Sequence, residues 1–157
     1  MRYFLEIAYN GTRFCGWQRQ PNAISVQEVI ENSIQTLLQE KIETIGCGRT
    51  DTGVHASKYY LHFDTVNNSI ENYIPRLNKL VGNDIAIKSI IPVAESAHAR
   101  FDAERIAYKY FITGQKDPFS QETKYYLFNS KLLDTDLLQK TAALFLSYQS
   151  FFPFCKT

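Results

Sequence analysis

The chain has 157 residues, of which 45% are hydrophobic and 14% are aromatic. This supply of apolar side chains is sufficient for a packed core and argues against a disordered chain. The 17 lysines and arginines nearly balance 16 acidic residues, for a formal net charge of +1. Any surface that binds nucleic acid therefore has to be a local patch.

The cysteines and the N-terminus indicate a cytoplasmic protein. Cys15, Cys47 and Cys155 form no CxxC pair, which argues against a disulfide framework and a zinc cluster and suits a reducing cytosol. The chain begins with an alternating strand pattern rather than a signal sequence, and it has no apolar run of about 18 residues. We therefore expect a protein that is neither exported nor membrane-spanning.

The first part of the chain predicts a ferredoxin-like (RRM-like) α+β fold. Residues 3–9 alternate as a half-buried strand does, and Ser25 with Glu28 forms a capping box at the start of a helix. The order strand, helix, strand, strand, helix, strand closes as an antiparallel sheet with both helices on one face. The predicted strands are 3–9, 42–45, 59–66 and 85–93, and the predicted helices are 25–40 and 72–81.

From His98 onward the pattern starts again, with predicted strands at 105–113 and 125–128 and a helix at 134–147. Only SFFPFCKT follows this helix, so the second sheet has no closing strands. We expect residues 1–95 to be an N-terminal half and residues 96–157 to be the incomplete start of a second half of similar type.

The densest cluster of chemical groups is the segment GCGRTDTGVHA, residues 46–56. In an extended stretch, residues two apart point the same way, so Arg49 and Asp51 can share one pocket in which Asp51 stays ionised. Such a carboxylate is a usable nucleophile. The alternative is a glycine-rich turn whose Asp and Thr side chains satisfy local amides.

A second cluster, the loop after the first strand, mixes arginines, amides and aromatics without an acidic residue. Arg13, Gln18 and Arg19 can reach phosphates or base edges, and Trp17 can stack on a base, as in single-stranded RNA recognition. The alternative is that Trp17 and Phe14 pack beneath the loop.

A third cluster, residues 98–110, interleaves basic and aromatic residues, among them Arg100. Tyr108 and Tyr110 share one face of the predicted strand with Ile106 and Ile112, which predicts core tyrosines. The alternative is that one aromatic ring stacks on a flipped base. The three histidines, His55, His62 and His98, have no zinc-ligand spacing. We therefore expect no metal site.

Five segments resemble the tRNA pseudouridine synthase A family, in family order along the chain. They are YNGTRFCGWQRQP, GRTDTGVHA, LNKLVGNDI, HARFDAERIAYKYFI and the terminal FCKT. One GRTD tetrapeptide would be weak evidence, whereas five segments at inferred loops and strand junctions are specific.

This resemblance implies that Asp51 is the catalytic aspartate, Arg49 the basic residue that accompanies it, and Tyr108 the active-site tyrosine. Arg13, Gln18 and Arg19 fall in the family's RNA-contacting loop, and we add Trp17, His55 and Arg100 as RNA-binding candidates. Family members isomerise uridines at positions 38–40 of the tRNA anticodon stem-loop, act as homodimers and need no cofactor.

The family continues beyond FCKT into a segment with a further basic residue that contacts the catalytic aspartate. We therefore expect the 157-residue chain to be weak or inactive alone. The alternative function is a non-catalytic RRM-like module that only binds RNA. Against it, the chain lacks an RNP1-like string, and GRTDTGVHA has no role in such a module.

Overall fold

In the computed structural model of this chain, the structure describes residues 1–155, apart from the side chain of Leu132. The last two residues of the FCKT segment, Lys156 and Thr157, lie outside this range. The chain divides into two compact units, Met1–Ala107 and Tyr108–Thr157. We describe each unit by itself.

The first unit has the predicted order of strands and helices. Its sheet is formed by β1 (Arg2–Tyr9), β2 (Thr44–Gly46), β3 (Ala56–Asp64) and β4 (Ile85–Val93). The helices are α1 (Val26–Leu38) and α2 (Ile74–Leu80), and a 3-10 turn over Ile70–Tyr73 precedes α2. The predicted 72–81 helix is therefore part 3-10 and part α, with Pro75 in the first α turn, where a missing amide costs nothing.

The sheet has the order β2-β3-β1-β4, and all three pairs are antiparallel. This confirms the ferredoxin-like arrangement. One face of β1 is buried through Tyr3, Leu5, Ile7 and Tyr9. It shares a core with both helices, through Val26, Ile30 and Ile34 of α1 and Leu77 of α2.

The predicted cap of α1 is present, with the Glu28 amide donating to Ser25 Oγ at 3.2 Å. At about 1 kcal/mol, a typical value for such a cap, it fixes where the helix begins. The buried residues Val26, Ile30 and Ile34 recur at four-residue spacing, which keeps them on one face. The helix start therefore follows directly from the sequence.

A β-bulge in β4 is held open by α2. Glu6 pairs with Ser89 and Ile7 with Ile87, so Lys88 is an extra residue. The Asn78 amide fills the gap: its Nδ2 donates to the Ile87 carbonyl at 3.0 Å, and its Oδ1 accepts from the Ile87 amide at 2.8 Å. Both Ile87 backbone groups are thereby satisfied.

After β4 the chain turns back across the helix-free face of the sheet. We call residues 95–102 the return corner. Arg2 Nη1 donates to the carbonyls of Glu95 and Ala97 at 2.7 and 3.0 Å, and the Ala99 amide donates to the buried His62 Nδ1 at 3.1 Å. These contacts join the return corner to the first unit, which extends to Ala107, whereas the sequence analysis placed the boundary at 95/96.

The second unit contains two short strands and one helix. Strands β5 (Ile112–Thr113) and β6 (Tyr125–Tyr126) pair in parallel, and α3 (Thr135–Phe145) begins at an Asp134 cap. The predicted strand at 105–113 is wrong for residues 105–111, which have no ladder partner in the part of the chain that the structure describes. A strand requires a neighbour, and the alternation of side chains alone does not supply one.

Candidate active site

Two loops lie against each other at one end of the sheet. We call residues 10–20 the arginine loop and residues 47–55 the aspartate loop. The Trp17 amide donates to the Thr50 carbonyl at 3.1 Å, and the Gly53 amide donates to the Phe14 carbonyl at 3.2 Å. The backbone of each loop therefore satisfies polar groups of the other, as buried backbone requires.

Two glycines make this close approach possible. A Cβ atom on Gly11 would collide with the Val54 carbonyl, and one on Gly16 would collide with the Thr50 carbonyl. Gly16 also has a φ of +96°, a conformation that other residues rarely adopt. The spacing of glycines in the sequence thus reflects direct contact between the two loops.

An aromatic cluster forms the floor under both loops. Trp17 lies against Tyr59, with ring centroids 4.5 Å apart, and Tyr59 meets Tyr9 edge-on at 5.8 Å. Trp17 is only 4% exposed. This packing is the alternative stated for Trp17 in the sequence analysis, since a buried indole offers no face to a base.

Above this floor, the side chains of the aspartate loop alternate in direction. Thr50 turns inward, and its Oγ1 lies 2.9 Å from the Tyr9 hydroxyl. Arg49 and Asp51, on either side of Thr50, are both exposed. Among the described residues the two form no ion pair with each other. Asp51 is therefore an accessible carboxylate on a fixed backbone, with an arginine on the same side of the chain.

Unlike Trp17, whose predicted role in RNA binding its burial opposes, the polar RNA-binding candidates of the arginine loop lie at its outer surface. Arg13 is exposed and forms an ion pair with Asp84 at 3.3 Å. Gln18 is exposed. Arg19 is half exposed and lies 3.7 Å from Glu28 and 3.5 Å from Glu31 of α1. Acidic neighbours restrain both arginines, which the acid-free loop sequence does not reveal.

His55 and Arg100 occupy different surroundings. The Nδ1 atom of His55 accepts a hydrogen bond from the Gly11 amide at 3.2 Å, so a neutral His55 carries its proton on Nε2. This bond is a further link between the two loops. Arg100 is exposed on the return corner, where its amide donates to His98 Nδ1 at 3.2 Å.

Tyr108 is the first residue of the second unit and is 74% exposed. Tyr110 is 77% exposed. The prediction that both rings belong to a core is therefore wrong for the chain as described. The alternative, that an aromatic ring contacts a nucleobase, stays a prediction.

The sequence analysis missed the residues that hold the aspartate loop from below. Tyr59 was assigned only to a strand, yet its hydroxyl donates to the Gly48 carbonyl at 2.5 Å. Tyr9 and Thr50 form the second inward contact. A usable signal was present, because Tyr9 ends the first predicted strand and Tyr59 begins the predicted strand 59–66, each next to a glycine-rich loop, and a buried phenol requires a polar partner.

Other kinds of site find no support in the described part of the chain. Residues 1–155 contain no group of three or more His, Cys, Asp or Glu side chains that could hold a metal ion. None of the helices described there is long and apolar enough to cross a membrane.

Comparison with known proteins identifies the class of protein that combines this fold with the aspartate loop. The family described as tRNA pseudouridine synthase matches residues 7–102, a range that includes both loops and the return corner. This chain belongs to the tRNA pseudouridine synthase family.

Curated relatives named tRNA pseudouridine synthase A are similar over nearly the whole chain. The protein of Azobacteroides pseudotrichonymphae is 44% identical over 156 residues, and that of Porphyromonas gingivalis is 42% identical over 158 residues. Each match covers 99% of this chain but only 62% of the relative. The chain therefore spans somewhat less than two thirds of the length of these relatives.

Proposed function

We propose that this chain forms part of a tRNA pseudouridine synthase that converts uridine to pseudouridine with Asp51 as the essential carboxylate. One observation carries the proposal: Asp51 is exposed on a loop whose backbone is fixed by hydrogen bonds with the arginine loop. A positioned, accessible carboxylate suits chemistry on a nucleoside that has been turned out of its helix.

The reaction breaks the bond between N1 and C1′, turns the uracil, and joins C5 to C1′. The proton on C5 leaves to solvent, and N1 gains a proton, so the change is a balanced isomerisation that requires no external donor. Asp51 can attack C1′, attack C6 or remove a proton from the ribose, since an ionised carboxylate serves each route.

The substrate that we propose is the anticodon stem-loop of tRNA. Arg13, Gln18 and Arg19 line the outer side of the arginine loop, and Arg100 is exposed on the return corner. Guanidinium and amide groups at these positions would bind phosphates and hold the RNA in register. Arg49 would occupy the space that the flipped uridine leaves, and Tyr108 would stack on the uracil.

The match to longer relatives bears on the activity of this chain by itself. It covers 62% of their length, so we propose that full turnover requires the remaining part. From the family resemblance we also propose that the complete enzyme is a homodimer. The chain alone is expected to be weak or inactive, and full turnover by the chain alone would contradict this.

The alternative function, a non-catalytic RRM-like module, depends on an open sheet face with exposed aromatic rings. The ferredoxin-like order of strands favours it. However, His62 near the C-terminal end of β3 is covered by the return corner, and the Tyr60 hydroxyl donates to Glu6 at 2.8 Å. An acidic side chain on that face opposes phosphate binding, so the enzyme is the better-supported proposal.

The decisive experiment measures tritium release from tRNA labelled at uracil C5, because bonding of C5 to the ribose must expel that hydrogen. The chain is assayed alone and as part of a longer polypeptide that extends to the full length of the relatives. Asp51→Ala and Asp51→Asn should abolish release, while Glu43→Gln, which changes an exposed carboxylate paired with Lys41, should not. Release that survives in both Asp51 variants would refute the assignment, and binding without release from any form would favour the RNA-binding module.

A further inference from the structure

Two buried tyrosines lie beneath the loop that carries Asp51. Tyr9 is 4% exposed and Tyr59 is 5% exposed. Their hydroxyl groups contact the aspartate loop at two alternate residues: the Tyr59 hydroxyl donates to the Gly48 carbonyl at 2.5 Å, and the Tyr9 hydroxyl shares a hydrogen bond with Thr50 Oγ1 at 2.9 Å. The loop is thus attached to the sheet at residues 48 and 50.

The hydroxyls are not needed for the packing of these rings. The edge-on contact between Tyr9 and Tyr59 and the contact between Tyr59 and Trp17 are ring contacts, which phenylalanine would also make. A buried hydroxyl carries a desolvation cost unless it is bonded, so a tyrosine at a core position requires a partner. Here the partners belong to the loop, and the two hydroxyls therefore connect the core to the loop.

The attachment sets the direction of the residues between and beside the two contacts. Because Gly48 and Thr50 are bonded to the floor, Arg49 and Asp51 are left on the solvent side. The Thr50 carbonyl is held as well, by the Trp17 amide at 3.1 Å. Thr50 is thus held through both its side chain and its backbone, one peptide bond from Asp51.

We propose that Tyr9 and Tyr59 are positioning residues, which act through Thr50 and Gly48 to hold Asp51 in its reactive direction. The proposal rests on the proposed function, in which Asp51 is the essential carboxylate. A carboxylate on a fixed backbone reaches the nucleoside without first being ordered, so loss of a hydroxyl lowers the rate of the chemical step and leaves RNA binding intact. Tyr9 has the larger effect, because it bonds the residue adjacent to Asp51.

The test uses variants that remove one hydroxyl each and keep the ring. Tyr9→Phe and Tyr59→Phe are compared with Tyr60→Phe, which removes a hydroxyl from the same strand on the opposite face, where it bonds Glu6 at 2.8 Å. Thr50→Val removes the partner of Tyr9, whereas Thr50→Ser keeps its hydroxyl. The Ser variant should restore what the Val variant loses.

Two readouts are measured on each variant. Amide hydrogen exchange of Trp17 and Gly53, which donate across the two loops, should accelerate by roughly fivefold to tenfold in Tyr9→Phe, as expected for loss of one neutral hydrogen bond. In the longer polypeptide, single-turnover tritium release should slow by at least a similar factor, about fivefold to tenfold, while the Kd for tRNA stays unchanged.

The outcomes separate this proposal from the function on which it rests. If Tyr9→Phe and Tyr59→Phe behave like Tyr60→Phe in both readouts, the positioning proposal is overturned. An equal rise in Kd with an unchanged rate constant would also overturn it, because the hydroxyls would then serve binding. If no form releases tritium, the proposed function fails, and the exchange rates alone decide whether the hydroxyls hold the loop.

Discussion

The guanidinium of Arg2 makes two parallel hydrogen bonds to the Asp64 carboxylate, Nε to Oδ1 at 2.9 Å and Nη2 to Oδ2 at 2.7 Å. The same side chain donates to the Glu95 and Ala97 carbonyls. It therefore joins the first strand, the end of β3 and the return corner. The contact also holds the pKa of Asp64 below its usual range, because Arg2 bonds and faces the ionised carboxylate.

Replacement of Arg2 by lysine should release the return corner. Lysine keeps the charge but cannot form the planar pair and reach two carbonyls at once. We expect amide exchange at Ala99 to accelerate by about tenfold, without loss of the fold. Arg76→Lys on α2 is the control, since Arg76 lies over the Tyr73 ring of the preceding 3-10 turn. Unchanged exchange at Ala99 in Arg2→Lys would contradict this role.

The stability of the first unit should depend on pH through His62. Burial, together with the positive charges of Arg2 and His98, lowers the pKa of His62, and Asp64 and Asp102 oppose this only in part. The unfolded chain then binds a proton that the folded chain does not. The stabilisation that comes from burying neutral His62 is fully present above the unfolded pKa of about 6.5. It is lost as the pH falls below that value.

The measurement for His62 is the free energy of urea unfolding as a function of pH, in the original chain and in His62→Gln. Glutamine retains an acceptor for the Ala99 amide and does not titrate. The difference between the two proteins should change below a pH of about 6.5 and be constant above it. A difference that is constant across the acidic range would contradict the prediction.

Gly16→Ala should destabilise the contact between the two loops. The added Cβ would meet the Thr50 carbonyl, and the φ of +96° is strained for alanine. We expect a loss of about 1–3 kcal/mol in the free energy of unfolding. Gly82→Ala is the matched control, since Gly82 also has a positive φ, +76°, but a Cβ there has no neighbour within 4 Å. Equal losses would show that backbone strain alone is responsible.

Asn78→Ala should destabilise the sheet by about 1–3 kcal/mol, because it leaves both backbone groups of Ile87 without the partner that they now have. Lys79→Ala, at the next and exposed position of the same helix, should change stability by less than about 0.5 kcal/mol. Chemical denaturation measures both variants. Similar midpoints for the two would contradict the role of Asn78 at the bulge.

Arg13→Gln should weaken tRNA binding and reduce its dependence on salt. The guanidinium is exposed, and within residues 1–155 its one ionic partner is Asp84 at 3.3 Å, so it can be transferred to a phosphate. The slope of log affinity against log salt concentration should fall by about one. Lys41→Gln, which changes an exposed cation paired with Glu43, should leave the slope unchanged. An unaltered slope in Arg13→Gln would remove Arg13 from the RNA surface.

The first unit was predictable because its local signals agree with its tertiary contacts. The β4 strand was predicted with the bounds that it has, Ile85–Val93, and the Ser25 cap fixes the start of α1. The bulge at Lys88 could not be predicted, because it depends on Asn78 of another element. The prediction for residues 105–111 failed for the opposite reason: their alternation is clear, but within the described chain none of them has a partner in a strand ladder.

The location of the candidate site was predictable from the sequence, but the contacts that hold its residues in place were not. The glycines and polar residues of 46–56 mark a loop with chemical capacity, and Asp51 is indeed accessible. The burial of Trp17 and the ion pairs of Arg19 could not be inferred from loop composition. Both arise from contacts with α1 or β3, which the composition of a single loop does not contain.

The alternation in the aspartate loop also constrains how its length can vary. Inserting or deleting one residue between Gly48 and Asp51 would exchange the inward and outward positions of this segment. The Asp51 carboxylate would then point toward the hydroxyls of Tyr9 and Tyr59. A change of two residues would preserve the outward direction of Asp51 but break the attachment at Thr50. This stretch should therefore tolerate substitution at its outward positions far better than any change in residue count.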